Sequence, residues 1–341
     1  METDTHRPGP RAASGTRPRT GPASAPDRTA GDAFPLPGAG GPVTVAVPAP
    51  GTGAQRWAGA PSAHWDTDGS LLLAYRVRAE EDYNVIARSP DGRTFTTLAV
   101  LTRDRLGAAM VERPALVRTD GGTWRLYVSC ATPGSKHWWV GVTEAPTPGG
   151  LANAPVRPVF EGDARTAVKD PVVRRRGAGW EAWLCCHPLD EPGAEDRMFT
   201  AYATSPDGLR WRWRGTVLTG RPGAWDARGA RLTSVLPDGR AAYDGRASAE
   251  ENWFERTGLA RPSEPGQGPG LAPVGDAPVC DVRYLDVLAL PQGDTGSSTK
   301  HGSRTEATSC APRPSQLRGT RRRLPVSDAP PSRGSHRGRA G

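Results

Sequence analysis

The chain has 341 residues, among them 42 Gly, 35 Pro and 11 Trp, with a net charge of +8 and no apolar run long enough to cross a membrane as a helix. Scarcely any apolar stripe of helical period is present, which excludes a helical bundle and suits an all-β chain full of turns. The charge lies at the ends: residues 1–30 carry +2 and residues 291–341 carry +7, leaving about −1 between them, so neither nucleic acid nor a membrane surface is expected as a partner.

Residues 1–41 are rich in Pro, Gly, Ala and Arg and lack the apolar core of a signal peptide. They read as a disordered arm. The five cysteines, Cys130, Cys185, Cys186, Cys280 and Cys310, form no Cys-x-x-Cys pair. Cys185 and Cys186 are adjacent in a predicted strand and point to opposite faces, as packing thiols do. A cytoplasmic protein with reduced thiols is the expectation.

Beyond the arm the chain is a series of hairpins. The first is "SAHWDTDGSLLLAYRV", a strand, an Asp-Gly turn and a strand of alternating large side chains. "YNVIARSPDGRTFTTLAVL" follows, with Ser-Pro-Asp-Gly as its tight turn: Pro presets φ, Asp bonds its own backbone and Gly takes φ > 0. Further on come "RPALVRTDGGTWRLYVSC" and "DPVVRRRGAGWEAWLCC", then a second Ser-Pro-Asp-Gly hairpin, "MFTAYATSPDGLRWRWRGTVL". "RLTSVLPDGRAAYDGR" and the opening of another, "VRYLDVLALPQGD", complete the series. The turn glycines Gly69, Gly121, Gly177, Gly239 and Gly293 are 52, 56, 62 and 54 residues apart. Each period has room for four strands, and a radially repeated four-stranded sheet is a propeller blade. The spacing predicts a five-bladed β-propeller over 42–292, with Pro42–Ala49 as a strand that completes the last blade. An ordinary β-sandwich is the alternative arrangement.

The fifth blade stops in mid-hairpin. From Gly293 the alternation gives way to a Ser-, Arg-, Pro- and Gly-rich tail, 293–341, expected to be disordered. One synonymous codon choice for Gly293 to Pro312, read from its third base, spells "RHRLFYEARLPDGSHELRT", the missing strand and turn. A frameshift near Gln292 is therefore expected, leaving the last blade truncated, the chain poorly soluble or partly unfolded, and the basic tail without an evolved partner.

Four-stranded blades with Ser-Pro-Asp-Gly turns followed by Phe or Trp resemble the five-bladed propeller superfamily of arabinanases, β-xylosidases, levansucrases and invertases, over roughly Val43 to Leu290. The resemblance implies a glycoside hydrolase with its site in an axial funnel, built where each blade's innermost strand begins, and a carbohydrate as ligand. Hydrolysis takes one carboxyl group to protonate the leaving oxygen and another to activate water or attack the sugar.

The inner strands offer such groups. Blade one has His64, Trp65 and Asp66; blade two has Glu112 and Arg113 before Pro114; blade three has Lys169 and Asp170 before Pro171. Blade four has Asp226, Arg228 and Arg231, and blade five has Asp281, Arg283 and Asp286. Asp170 matches the superfamily best. Glu112, among Met110, Val111 and Pro114, is the expected proton donor, because apolar surroundings raise a carboxyl pKa. Asp66 is the candidate base or nucleophile. It departs from the superfamily, whose first acid commonly stands ahead of a Pro, and it also reads as a turn residue. Asp244, Glu251 and Trp253 of "YDGRASAEENWF" are candidate sugar contacts, or a solvated acidic loop. In "KHWWV", residues 136–140, one Trp is expected to pack inside a strand edge.

Two function classes follow: a glycoside hydrolase, or a carbohydrate-binding propeller in which Arg113, Arg231 and Arg283 grip an anionic sugar through their planar forks. A ring of salt bridges closing the propeller's centre would use the same residues. No phosphate loop, dinucleotide fingerprint or zinc spacing is present, so no cofactor or metal is expected. The oligomeric state is left open.

Overall fold

The computed structural model describes residues 44–53, 55–263 and 270–289, and the backbone of 305–310. The expected arm and most of the expected tail lie outside the described residues. Blade one is β1 (Trp57–Trp65), β2 (Leu71–Arg78), β3 (Asp82–Ser89) and β4 (Thr96–Thr102). Blade two is β5 (Ala115–Arg118), β6 (Trp124–Ala131), β7 (Trp138–Ala145) and β8 (Val156–Phe160). Blade three is β9 (Thr166–Arg176), β10 (Gly179–Pro188), β11 (Phe199–Ser205) and β12 (Arg212–Thr219). Blade four is β13 (Gly229–Val235), β14 (Ala241–Arg246), β15 (Arg256–Pro262) and β16 (Leu271–Val274). In every blade the strands pair in chain order, each antiparallel to the next. A single turn of 3-10 helix, Gly149–Ala152, is the one helical piece among the described residues.

Four complete four-stranded blades are present among these residues, not five. In the fifth position β17 (Arg283–Ala289) pairs only with β18 (Thr305–Cys310), a strand inside the stretch expected to be disordered. The inner strands β1, β5, β9, β13 and β17 touch in sequence, and β17 returns to β1, so they ring a common axis. Thr44–Ala49 forms no strand, contrary to expectation. Its Val47 packs instead against Leu73, Tyr75 and Val77 on one face of blade one.

The period-two alternation of the strands sends successive side chains into different interfaces. Leu72, Ala74, Ile86 and Leu101 face blade two and meet Leu116, Trp124, Leu126 and Val128. Tyr127, Val140 and Phe160 meet Trp180, Leu184 and Ala203 between blades two and three. Trp183 and Tyr202 meet Leu232 and Tyr243 between blades three and four. On the remaining face of blade one, Leu73, Tyr75, Val77, Val85 and Ala87 cluster only with other blade-one side chains and Val47 among the described residues.

The recurring Ser-Pro-Asp-Gly turns join third to fourth strands in blades one and three. In each, Asp accepts two backbone N–H groups: Asp91 from Arg93 and Thr94, and Asp207 from Leu209 and Arg210. These bonds hold the Asp91 carboxyl down at about 2. The second turn also docks its blade, because the Tyr127 hydroxyl donates to the Gly208 carbonyl at 2.6 Å. Gly208 has φ +75°, and a Cβ there would crowd Arg125 Nη1, the Tyr127 hydroxyl and the Trp180 ring, so any other residue is strained.

Candidate functional site

Every inner strand changes register near the axis. In β1 the residues Ala60 and Pro61 oppose a single residue of β2, and in β9 Asp170 and Pro171 oppose a single residue of β10. In β17 Tyr284 and Leu285 likewise face one residue of β18. Ala60, Asp170 and Tyr284 have φ of 52°, 49° and 52°, a left-handed conformation that costs a non-glycine residue roughly 1–3 kcal/mol and collects at functional sites. In blade two Glu112, Arg113 and Pro114 fill the same place, between the Val111–Cys130 bridge and the first pair of β5. These bulges turn side chains inward, toward one another.

Asp170 is fully buried there. Its Oδ1 accepts the Arg113 N–H at 3.2 Å, and its Oδ2 lies 3.2 Å from both Arg231 Nη1 and the Tyr284 hydroxyl. The Arg231 Nη2 donates to Asp244 Oδ2 at 2.6 Å, and Asp244 accepts the Tyr284 N–H at 3.0 Å. Burial pushes the Asp244 carboxyl up, against the pull of Arg231. Glu255 lies 2.9 Å from Arg246 Nη1 and 2.6 Å from Arg283 Nε. Arg113 reaches the Pro61 carbonyl at 3.1 Å and Asp286 at 3.6 Å, while Asp286 accepts the Ala63 N–H at 2.8 Å, tying β17 to β1.

Glu112 and Asp170 are thus brought together: the Tyr284 hydroxyl is within 3.5 Å of Glu112 Oε2 as well. The environment of Glu112 is the opposite of the expected one. Burial alone would raise its pKa, but Arg76 at 2.5 Å and Lys169 at 3.8 Å, with Arg231 and Arg283 beyond, outweigh burial and push it down to about 2. A carboxylate ionised over the whole neutral range has no proton to donate.

Asp66 lies elsewhere. It follows the last residue of β1 and closes the hairpin turn, accepting from the Thr67 N–H at 2.7 Å and pairing with Arg88. At about 3.3 Å per residue, the five positions from Pro61 put Asp66 roughly 16 Å along the strand from the Asp170 level. His64 and Trp65 are at that end too. His64 packs edge-on to Trp124, with burial holding its pKa down, and Trp65 Nε1 donates to the Ala289 carbonyl at 2.8 Å. Glu251 is also outside the axial group, accepting the Ala247 N–H at 3.0 Å and pairing with Arg256 in its own loop. Asp226 accepts from Arg221 and from the Tyr243 hydroxyl, and Arg228 pairs with Asp196.

Beside the axial group stand two tryptophans with cations over their rings. Lys169 stands 4.9 Å over the Trp138 ring, and Arg283 and Arg78 approach Trp253, which is 47% exposed. Of Trp138 and Trp139, it is Trp139 that packs inward. His187 accompanies them, its Nε2 3.4 Å from Cys185 Sγ. Burial drives His187 down to about 3 and the Cys185 thiol up to about 12, so both are neutral. Sequence reasoning missed Arg76, Tyr284 and Glu255. Arg76 carried a signal, as the one charge inside the apolar run "LLLAYRV". Tyr284 shares the left-handed φ of Ala60 and Asp170 but has no proline after it, so the sequence does not mark it. No group of three or more potential metal ligands occurs among the described residues.

No protein-family model and no curated sequence matches the chain. Solved structures match by fold. An α-L-arabinofuranosidase from Lactobacillus brevis superposes with a TM-score of 0.53 and 14% identity, over 74% of this chain and 90% of its own. The β-1,2-mannobiose phosphorylase from Listeria innocua, solved with β-1,2-mannobiose, gives 0.50 and 16% over 74% and 88%. A sucrose-6-phosphate hydrolase from Lactobacillus gasseri gives 0.52 and 10% over 73% and 57%. The chain has the propeller fold of these glycoside-processing proteins.

Proposed function

We propose that the chain is a carbohydrate-binding propeller of the glycosidase type, which takes a small glycan beside the axial group and lacks the acid pair for hydrolysis. The observation that carries this reading is Ala60. It occupies in β1 the bulged, left-handed place ahead of a proline that Asp170 occupies in β9, the place where the resembling superfamily commonly has its first acid. Asp170 and Glu112 are engaged by Arg113, Arg231, Arg76 and Tyr284. Trp138 and Trp253, with Lys169 and Arg283, offer ring faces and donors to a sugar. The arginines proposed for an anionic sugar already hold carboxylates, which favours a neutral one.

The purified chain is to be titrated calorimetrically with β-1,2-mannobiose, arabinobiose, sucrose and galacturonic acid, with chromatography of each mixture for released monosaccharide. Saturable heat without release supports the reading. Release of monosaccharide overturns it in favour of hydrolysis, and heat with the uronate alone restores the anionic alternative.

The proposal extends to the fifth blade. Its two described strands, β17 and β18, support a five-bladed parent whose frame is lost near Gln292. Sequencing the gene across that codon tests it: an intact frame in the DNA ends the idea.

A further inference from the structure

A second binding place lies outside the axis, where β12 leaves its turn. The strand "RWRWR", residues 210–214, alternates by period two. Its tryptophans turn to one side and meet Phe160 of blade two, Trp211 at 5.1 Å and Trp213 at 5.4 Å between ring centroids. They line a cleft of about 640 Å³ between blades two and three, with Phe199 on its far wall and Glu161 and Asp163 among its lining residues.

Two features of this cleft are left without a structural use. Trp213 is 45% exposed, on a strand edge where nothing covers it among the described residues. Glu161 is exposed and makes no ion pair among the described residues, and Asp163 uses Oδ1 on the Arg165 N–H, with no bond to Oδ2 among the described residues.

We propose that this cleft is a second saccharide-binding site, independent of the axial one. Flat indole faces accept the C–H face of a pyranose or furanose ring. Free carboxylates need hydroxyl protons. A sugar unit carries both an apolar face and such donors. A peptide with aromatic or proline side chains would use the indoles and leave the two carboxylates unserved. The cleft is open along a strand edge, so the ligand is an internal stretch of a glycan chain, held without cleavage.

Native electrophoresis of the full chain in gels cast with soluble yeast mannan or with arabinan tests this. The chain is expected to be retarded by one of them, and Trp213→Ala, an exposed position that leaves the fold intact, to weaken that binding roughly tenfold. Trp253→Ala, beside the axial group, is expected to leave the retardation unchanged. Equal retardation of wild type and Trp213→Ala overturns the proposal, as does no retardation by either polysaccharide. Loss in Trp253→Ala with Trp213→Ala unaffected also overturns it and leaves the axial reading standing. A thermal melt of each variant separates lost binding from lost fold.

Discussion

The Arg231 guanidinium lies over the Tyr284 ring, 3.8 Å from its centroid, and donates to the Tyr284 hydroxyl at 2.8 Å. Both are buried, and both reach Asp170 and Asp244. One cation therefore balances two buried carboxylates from neighbouring blades. Arg231→Ala leaves these without their counter-charge and is expected to cost about 3–5 kcal/mol. Tyr284→Phe keeps the ring and loses only the hydroxyl, at about 1 kcal/mol. Urea unfolding measures both, and similar losses for the two variants contradict this account of the axis.

Ala60→Asp supplies blade one with a carboxylate in a backbone conformation that Asp170 already adopts. Arg113, which bonds the neighbouring Pro61 carbonyl, has an Nη1 without a partner among the described residues and is on hand to receive it. The variant is expected to lose about 1–3 kcal/mol for the added buried polar group. It is also expected to hydrolyse a 4-nitrophenyl arabinofuranoside or mannoside that the wild type leaves intact. A folded Ala60→Asp with no release of nitrophenol counts against the proposal that a missing blade-one acid separates this chain from a hydrolase.

Acid should weaken the fold in two steps. His187 is held below its ordinary 6.5, at about 3, so the stability it contributes is present above pH 6.5 and declines as pH falls toward 3. Glu112 is held below its ordinary 4.5, at about 2, so its contribution is present above pH 4.5 and is lost toward pH 2. Glu112→Gln should therefore destabilise on the order of 3 kcal/mol at pH 7 and little at pH 2. His187→Asn should flatten the slope between pH 6.5 and 3. Melting temperature against pH checks both, and parallel curves for wild type and Glu112→Gln refute the ion-pair assignment.

A chain whose residues after Gln292 read "RHRLFYEARLPDGSHELRT" should be more soluble and melt at least several degrees higher. The last blade, which has only β17 and β18 among the described residues, then gains the strands it lacks. Binding of a fluorescent apolar dye should fall at the same time. Equal melting of the two chains sinks the lost-frame proposal.

The hairpins were legible because turn chemistry and alternation are local. Asp66 to Ser70, Gly177 and both Ser-Pro-Asp-Gly turns fall where the sequence puts them, although in blade two Gly122, not Gly121, takes the positive φ. What local pattern cannot show is register. Aligning blades on their turns put Asp66 beside Glu112 and Asp170, but an inner strand bulges once, and only residues counted from the bulge share a level. Thr44–Ala49 has the alternation of a strand yet pairs with nothing, since pairing depends on a neighbour that alternation does not reveal. Glu112 shares the Tyr284 hydroxyl with Asp170, but its charged surroundings are not local in sequence. Its sequence neighbours are apolar, while Arg76 and Lys169 arrive from other strands.

The inner ring is held by charge pairs sealed from water, and this fixes how the molecule responds to its medium. Ions in solution screen surface charges within about 10 Å at 0.1 M but reach buried pairs poorly, so added salt should barely move the axis. Heat lowers the desolvation cost of ion pairs while apolar burial gains nothing more. Warming therefore shifts the relative strength of the molecule toward its centre. On heating, the apolar contacts between the blades should loosen before the paired strands at the axis do.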